Sequence, residues 1–196
     1  MTRKVQARTL ATRDRLMAAG REILAASGMT GLRTEEVVLR AGTAKGTFFA
    51  HFPDRDHFLA ALIGESLTAE FGALAVPRDR AALAALLDQI FQSFAADADT
   101  VALLARFSGP AGVGLGIDLM ICRVIDRISV GISAMQTGGA VTNPAAPEVL
   151  AEGLMALIFH AAASAQCPVH GDQAAVRARA ETLLHQMAGA LLGPAG

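Results

Sequence analysis

The sequence contains no tryptophan, no tyrosine and only two cysteines among its 196 residues. Aromatic residues make up 5% of the chain, whereas hydrophobic residues as a whole make up 53%, with alanine and leucine the commonest. Strands favour aromatic and β-branched residues, while alanine and leucine are strong helix formers. The composition therefore predicts an all-α protein. A mean hydropathy of +0.41 is high for a soluble monomer and indicates a subunit interface, an apolar cavity or both.

Signatures of catalysis and of metal binding are also missing. The chain has no Gly-x-Ser-x-Gly nucleophile, no His-Glu-x-x-His and no Glu-x-x-His pair, which are the usual marks of hydrolases and metal sites. Cys167 and His170 form one isolated pair, and two ligands do not make a structural zinc site. The glycine-rich segment 109–116 lacks the spacing of a nucleotide-binding loop. We therefore expect no enzyme activity, no metal and no cofactor.

Signals for export or membrane insertion are not evident either. The first fifteen residues are charged and contain no apolar stretch of the kind found in signal peptides. The most apolar stretch, 153–169, includes Ser164, His160 and Gln166, so it predicts a buried helix rather than a membrane span. We expect a cytoplasmic protein with no membrane partner.

The net charge of −1 conceals an uneven distribution. Residues 1–56 contain ten Lys and Arg against six Asp and Glu, or +4, whereas residues 57–196 contain seven against twelve, or −5. A basic N-terminal part on an acidic remainder suggests that only the former faces a polyanion. We accordingly predict a DNA-binding head at residues 1–56 and a helical body at residues 57–196.

Thr34–Arg55, with the sequence TEEVVLRAGTAKGTFFAHFPDR, has the pattern of two short helices around a turn. Thr34 is a suitable N-cap for the first helix, and Gly42 ends it because glycine adopts positive φ without steric cost. The second helix runs over 44–51 and cannot extend past Pro53. This is the pattern of a helix-turn-helix, whose second helix can lie in the DNA major groove.

The same segment resembles the DNA-binding unit of the TetR family of bacterial regulators, with the pattern T-x-x-x-I-A-x-x-A-G-V-S-K-G-T-L-Y-x-H-F-x-x-K. It matches at Thr34, Ala41, Gly42, Lys45, Gly46, Thr47, His51 and Phe52, with Val38 and Arg55 as close substitutes. It departs at Thr43, Ala44, Phe48 and Phe49, which replace Val, Ser, Leu and Tyr. The resemblance implies a three-helix head and a helical-bundle body. It also implies a homodimer, usually a repressor, that binds a palindromic operator in double-stranded DNA and is released by a small molecule.

Carried over to this sequence, the resemblance predicts the DNA contacts. Lys45 and Thr47 would begin the contact surface, and Thr34, His51 and Arg55 would meet phosphates. The full predicted set is Thr34, Thr43, Ala44, Lys45, Gly46, Thr47, Phe49, His51 and Arg55. A basic arm over residues 1–11, with Arg3, Lys4 and Arg8, would either add phosphate contacts or be a solvated terminus.

Two of the departures favour a competing interpretation. Ala44 and Phe49 lack hydroxyl groups that reach phosphates in the family. This leaves open a helical small-molecule-binding or interaction protein in which DNA binding is weakened or lost.

Apolar periodicity predicts further helices, over 12–27, 54–76, 80–96, 100–107, 117–135, 148–166 and 173–192. By resemblance, the last two would pair with their mates in a four-helix bundle, with Leu157 and Leu184 at the interface. Seven residues either line a pocket or are plain core: Phe91, Phe94, Phe107, Met120, Met155, Phe159 and His160. Uncharged polar side chains are scarce around them, so we expect a small, largely apolar ligand with His160 as its polar contact.

Overall fold

The computed structural model describes residues 2–167 and 172–194, with side chains from residue 8 onward. Within these ranges all regular structure is helical, which confirms the predicted all-α class. His170 lies outside them. The helices are α1 (Thr2–Gly31), α2 (Thr34–Arg40), α3 (Lys45–His51), α4 (Arg55–Phe71), α5 (Arg80–Phe94), α6 (Ala98–Phe107), α7 (Ile117–Thr137), α8 (Pro147–Ala165) and α9 (Gln173–Leu192), with a 3-10 turn at Pro110–Gly112.

The N-terminal arm predicted over residues 1–11 is wrong, because α1 already begins at Thr2. Residues 2–11 contain neither glycine nor proline, so nothing in this stretch interrupts a helix. Arg8 lies on the helix and its carbonyl accepts a hydrogen bond from the Thr12 hydroxyl at 2.9 Å. The side chains of Arg3 and Lys4 lie outside the described residues.

Aromatic rings hold the first four helices together. Phe48 of α3, Phe58 of α4 and Phe52 between these two helices are almost fully buried, and their ring centroids lie 4.8–5.6 Å apart. Gly20 of α1 allows α4 to approach closely, because a Cβ at this position would lie 2.6 Å from the Phe58 ring. The first half of α4 therefore belongs to the core of the head, while the division at residue 56 stays a prediction.

The body is arranged around α8. This helix packs against α5, α6, α7 and α9, and it buries residues on several sides, including Leu154, Met155 and Ile158. Among the described residues, α8 is long and apolar enough to cross a membrane by length and composition. Its packing inside the body explains that composition, since a helix without a polar face must be covered on both sides.

The helix α9 has one face buried in its own subunit and another face exposed. Leu184 is 1% exposed and packs into the core of its own subunit, so its predicted place at a subunit interface is wrong. Adjacent positions on α9 and α8 remain exposed instead, among them Leu183, Met187 and Val149. Leu157 is half-buried against the core. The apolar periodicity correctly identified the apolar stripe of α9, but this stripe packs into the core of its own subunit.

The glycine-rich connection between α6 and α7 is an ordered turn rather than a free loop. Gly116 is the N-cap residue of α7, and its φ of 91° is a conformation that favours glycine. Opposite it, Gly64 of α4 lies so close that a Cβ would be 2.3 Å from the Leu115 carbonyl oxygen. The connection is thus packed against the helix that joins the head to the body.

Candidate DNA-binding surface

The short helix α3 has one buried side and one open side. Phe48 is fully buried beneath it, and Thr47 and His51 are half-buried at its edges. Lys45, Gly46, Phe49 and Ala50 face outward, and Phe49 is 47% exposed. The open side is therefore narrow, with one cation and one large apolar side chain. In a helix-turn-helix, this is the side that the second helix presents to the major groove.

Lys45 is not free on this surface. Its Nζ lies 2.6 Å from the Glu35 Oε1 of α2, and both side chains are largely exposed. The hydrogen bond from Lys45 lowers the pKa of Glu35, with its own backbone N–H and the Lys45 charge as further causes. Glu35 therefore remains ionised at neutral pH and competes with any phosphate for Lys45. The sequence alone gave no sign of this pairing, because the two residues lie ten positions apart across the turn.

The predicted contact residues at the start of α2 and in the turn before α3 make no side-chain capping bonds. Arg33, rather than Thr34, precedes α2 as its N-cap residue, and its side chain makes no capping bond. Thr34 is the first residue of the helix, so its predicted capping role is wrong. Thr43 is half-buried and its Oγ1 has no hydrogen-bond partner among the described residues. Ala44 precedes α3 without a side-chain cap.

The Arg55 side chain, which was predicted to contact a phosphate, donates hydrogen bonds to two backbone carbonyls of its own chain. Its Nε donates to the Leu32 carbonyl at 2.8 Å and its Nη2 to the Met29 carbonyl at 2.5 Å. These carbonyls are at the end of α1, where a positive charge is favoured by the helix dipole. Arg55 thus fastens α4 to α1. The third guanidinium nitrogen, Nη1, lies 3.9 Å from the Asp56 Oδ1. The predicted phosphate contact of Arg55 stays a prediction.

Polar contacts connect the head to the body at two points. Arg21 of α1 forms a bidentate ion pair with Glu65 of α4, with both nitrogen–oxygen distances under 3 Å. Arg106 of α6 pairs with Asp56 at the start of α4 at 2.5 Å. Both contacts involve α4, which therefore links α1 of the head to α6 of the body.

The predicted ligand residues lie mostly in the body core. Phe91, Phe94 and Phe107 are fully buried, Met120 and Met155 are nearly so, and Phe159 is half-buried with its ring 5.1 Å from Phe94. None of these six lines the five cavities described around residues 8–167 and 172–194. These side chains are packed against one another. Their predicted role in lining a ligand pocket therefore stays a prediction.

His160 is the exception, because it is exposed and lines a cavity between α8 and α9. The cavity has a volume of about 470 Å³ and is lined by His160, Ser164, Ala175, Val176, Arg179, Ala180 and Leu183. The His160 Nε2 lies 3.5 Å from the Ser164 Oγ. The structure thus combines an apolar floor with three polar groups. Arg179 was missed by sequence reasoning because it falls outside the apolar stripe of α9.

The head of the chain matches a known family, and the whole fold matches solved structures. Residues 16–62 match the family model described as bacterial regulatory proteins, tetR family. No curated protein matches the chain. A TetR-family transcriptional regulator from Pectobacterium atrosepticum is 20% identical, with a TM-score of 0.68 over 100% of both chains.

Two further structures share the fold. A TetR transcription regulator from Haloarcula marismortui is 17% identical, with a TM-score of 0.62 over 93% of this chain and 98% of that one. SmeT, the repressor of a multidrug efflux pump of Stenotrophomonas maltophilia, is 19% identical in its complex with triclosan. That comparison has a TM-score of 0.58 over 95% of this chain and 96% of SmeT.

The head is a helix-turn-helix of the kind described by the tetR family model, carried on a helical body. The match to the tetR family model covers residues 16–62 in the head, and the solved structures share the fold of the whole chain. The resemblance drawn from the residues of the helix-turn-helix is therefore confirmed. Members of this family are regulators rather than enzymes.

Proposed function

We propose that this chain is a repressor that binds a palindromic operator as a homodimer and is released by a small, largely apolar molecule. The observation that carries the proposal is the open side of α3, where Lys45 and Phe49 project from a helix supported by buried aromatic rings. A two-fold dimer presents two such helices, so its target has two related half-sites.

DNA binding is tested by replacing Lys45 with alanine. Removing one phosphate contact lowers the slope of log affinity against log salt concentration by about one. Arg127→Ala is the control, because this exposed arginine lies on α7. The measurement is a gel-shift titration with genomic fragments at several salt concentrations. An unchanged affinity and slope for Lys45→Ala would exclude this residue from the DNA contact.

A failure of every fragment to bind would favour the competing function instead. In a helical small-molecule-binding protein without DNA binding, the ion pair of Lys45 with Glu35 would be merely structural. The missing hydroxyls at Ala44 and Phe49 support this alternative.

The surface that we propose for the dimer interface is the exposed apolar face of α8 and α9. Val149, Leu183 and Met187 would be covered there by a second copy of the chain. A charge at Leu183 would be buried unpaired in the dimer, which costs several kcal/mol. Leu183→Glu should therefore sediment as a folded monomer. Leu184→Glu is the contrast: Leu184 is core in its own subunit, so this variant should lose structure. A folded dimer of Leu183→Glu would exclude this face.

The site that we propose for the ligand is the α8–α9 cavity. Its volume of about 470 Å³ suits a small organic molecule. Val176, Ala180 and Leu183 offer the apolar surface, while Arg179 and His160 offer one or two polar contacts. Leu183 belongs both to the cavity and to the proposed dimer face, so a ligand there would alter how the two subunits pack.

Release from DNA would then be a population shift. The dimer would have one conformation whose two heads are spaced to fit the operator and another whose heads are not. The ligand must bind the second conformation more tightly, since equal affinity for both leaves their populations unchanged. Thermal shifts with lipophilic and with polyanionic compounds test the ligand class. A ligand at a hundredfold excess over its dissociation constant stabilises the protein by roughly 2.7 kcal/mol. If only sugars, nucleotides or other strongly polar molecules stabilise the protein, the apolar ligand is refuted.

A further inference from the structure

We propose that α3 recognises its operator chiefly through thymine methyl groups, with Phe49 as the residue that reads them. This inference rests on the proposed DNA binding and adds what the DNA sequence must contain. It concerns the side of α3 formed by Lys45, Gly46, Phe49 and Ala50.

The composition of this side leaves few means of recognition. Asn and Gln read adenine, Arg and Lys read guanine, Asp and Glu accept from cytosine, and apolar side chains contact the thymine methyl group. The sequence of α3, KGTFFAH, contains no Asn, Gln, Arg, Asp or Glu. Lys45 is left for guanine or a phosphate. Thr47 and His51 are half-buried at the edges of α3. Apart from Lys45, the exposed residues of α3 can therefore discriminate bases only by apolar contact.

Phe49 is held in a position to make that contact. Its ring meets the buried Phe48 ring edge-on, with the centroids 5.4 Å apart and the planes at 85°. Because Phe48 is 0% exposed, the inner edge of Phe49 rests on a fixed support. The outer part of the ring is open to solvent, and covering it with another apolar group is favourable.

The neighbours of Phe49 allow the helix to approach the bases closely. Gly46 has no side chain, and a Cβ built there would meet nothing within 4 Å. Ala50 adds a single methyl group. Lys45 lies one turn before Phe49 on the same side, so its charge can reach the DNA next to the thymine. A half-site with thymine at the Phe49 position is the expected target.

The experiment separates the methyl group from every other feature of the base. A duplex is first selected from a random pool with the full-length protein. Each thymine of the selected half-site is then replaced singly by uracil, which lacks only the C5 methyl. We expect one position per half-site at which this change weakens binding about fourfold, as for one buried methyl group. Methylated cytosine should outperform cytosine at that position, because it restores the methyl.

The variant Phe49→Ala assigns the effect to the residue. This variant should bind the selected duplex more weakly and should no longer distinguish thymine from uracil. Leu39→Ala is the matched control, because Leu39 of α2 is an apolar residue that is 79% exposed but lies outside α3. Leu39→Ala should still bind DNA with thymine more tightly than DNA with uracil at that position. Circular dichroism checks that both variants fold.

The possible results bear differently on the two proposals. If no sequence is enriched from the pool, the proposed DNA binding itself fails. If a sequence is enriched but uracil is tolerated at every position, recognition of the methyl group is refuted and DNA binding stands. The same holds if Phe49→Ala responds to uracil as the wild type does. A fourfold uracil effect that disappears only in Phe49→Ala supports the inference.

Discussion

Gly64→Ala should destabilise the protein, although alanine is the better helix former. Gly64 lies inside α4, where α4 touches the connection that leads into α7. A Cβ at this position would be 2.3 Å from the Leu115 carbonyl oxygen and 3.1 Å from the Ile117 backbone nitrogen. Both obstacles are backbone atoms, so a side-chain rotation cannot relieve the clash.

Two opposing terms determine the size of the effect. Replacing a glycine by alanine inside a helix stabilises by about 1 kcal/mol. Forcing an extra carbon into a packed contact costs about 1–3 kcal/mol, and here the cost lies at the upper end because the obstructing atoms belong to the backbone. The expected net loss is about 1–2 kcal/mol, or roughly 2–8 °C in Tm for a chain of this length.

Gly189→Ala provides the matched control. Gly189 also lies inside a helix, α9, but a Cβ there would meet nothing within 4 Å. This variant retains the propensity term without the clash, so it should gain up to about 1 kcal/mol. Urea unfolding followed by circular dichroism at one protein concentration compares the two variants with the wild type. If Gly64→Ala is as stable as Gly189→Ala, the close packing of α4 against the connection is refuted.

Two further substitutions test the electrostatics of the head. Glu35→Gln should tighten DNA binding, most clearly at low salt, because it frees Lys45 and removes a negative charge beside the DNA. Asp126→Asn is the control: Asp126 is exposed on α7 in the body, so this variant should leave the affinity unchanged. An unchanged affinity of Glu35→Gln would show that the ion pair does not compete with DNA. Burial raises the pKa of Asp54, but hydrogen bonds from His57 and nearby positive charge outweigh it, so the net pKa lies below 3.8. Stabilisation by this carboxylate is present above pH 3.8 and is lost as the pH falls through the lowered pKa. Asp54→Asn, which keeps a capping side chain, should therefore be less stable than the wild type in urea unfolding at pH 7, and the difference should shrink as the pH falls below 3.8.

Much of the fold follows from local sequence features. Alanine and leucine at helical spacing predicted the body helices closely; the last was predicted over 173–192 and is observed as Gln173–Leu192. The break at Gly42, with φ 59°, and the stop at Pro53 defined the helix-turn-helix, because glycine and proline act on their own backbone. The basic charge of residues 1–56 is likewise a property of the sequence alone.

Other features depend on contacts between residues that are distant in sequence. Periodicity identified the apolar stripe of α9, but only packing against the rest of the body shows that Leu184 faces inward and Leu183 outward. The motif assigned Lys45 to DNA, whereas its ion pair with Glu35 arises because the turn brings α2 beside α3. Arg55 fastens α4 to the end of α1 because residues 23 and 26 positions earlier expose their carbonyls there. A local pattern predicts which residues form a helix, and the tertiary structure determines what each face of it meets.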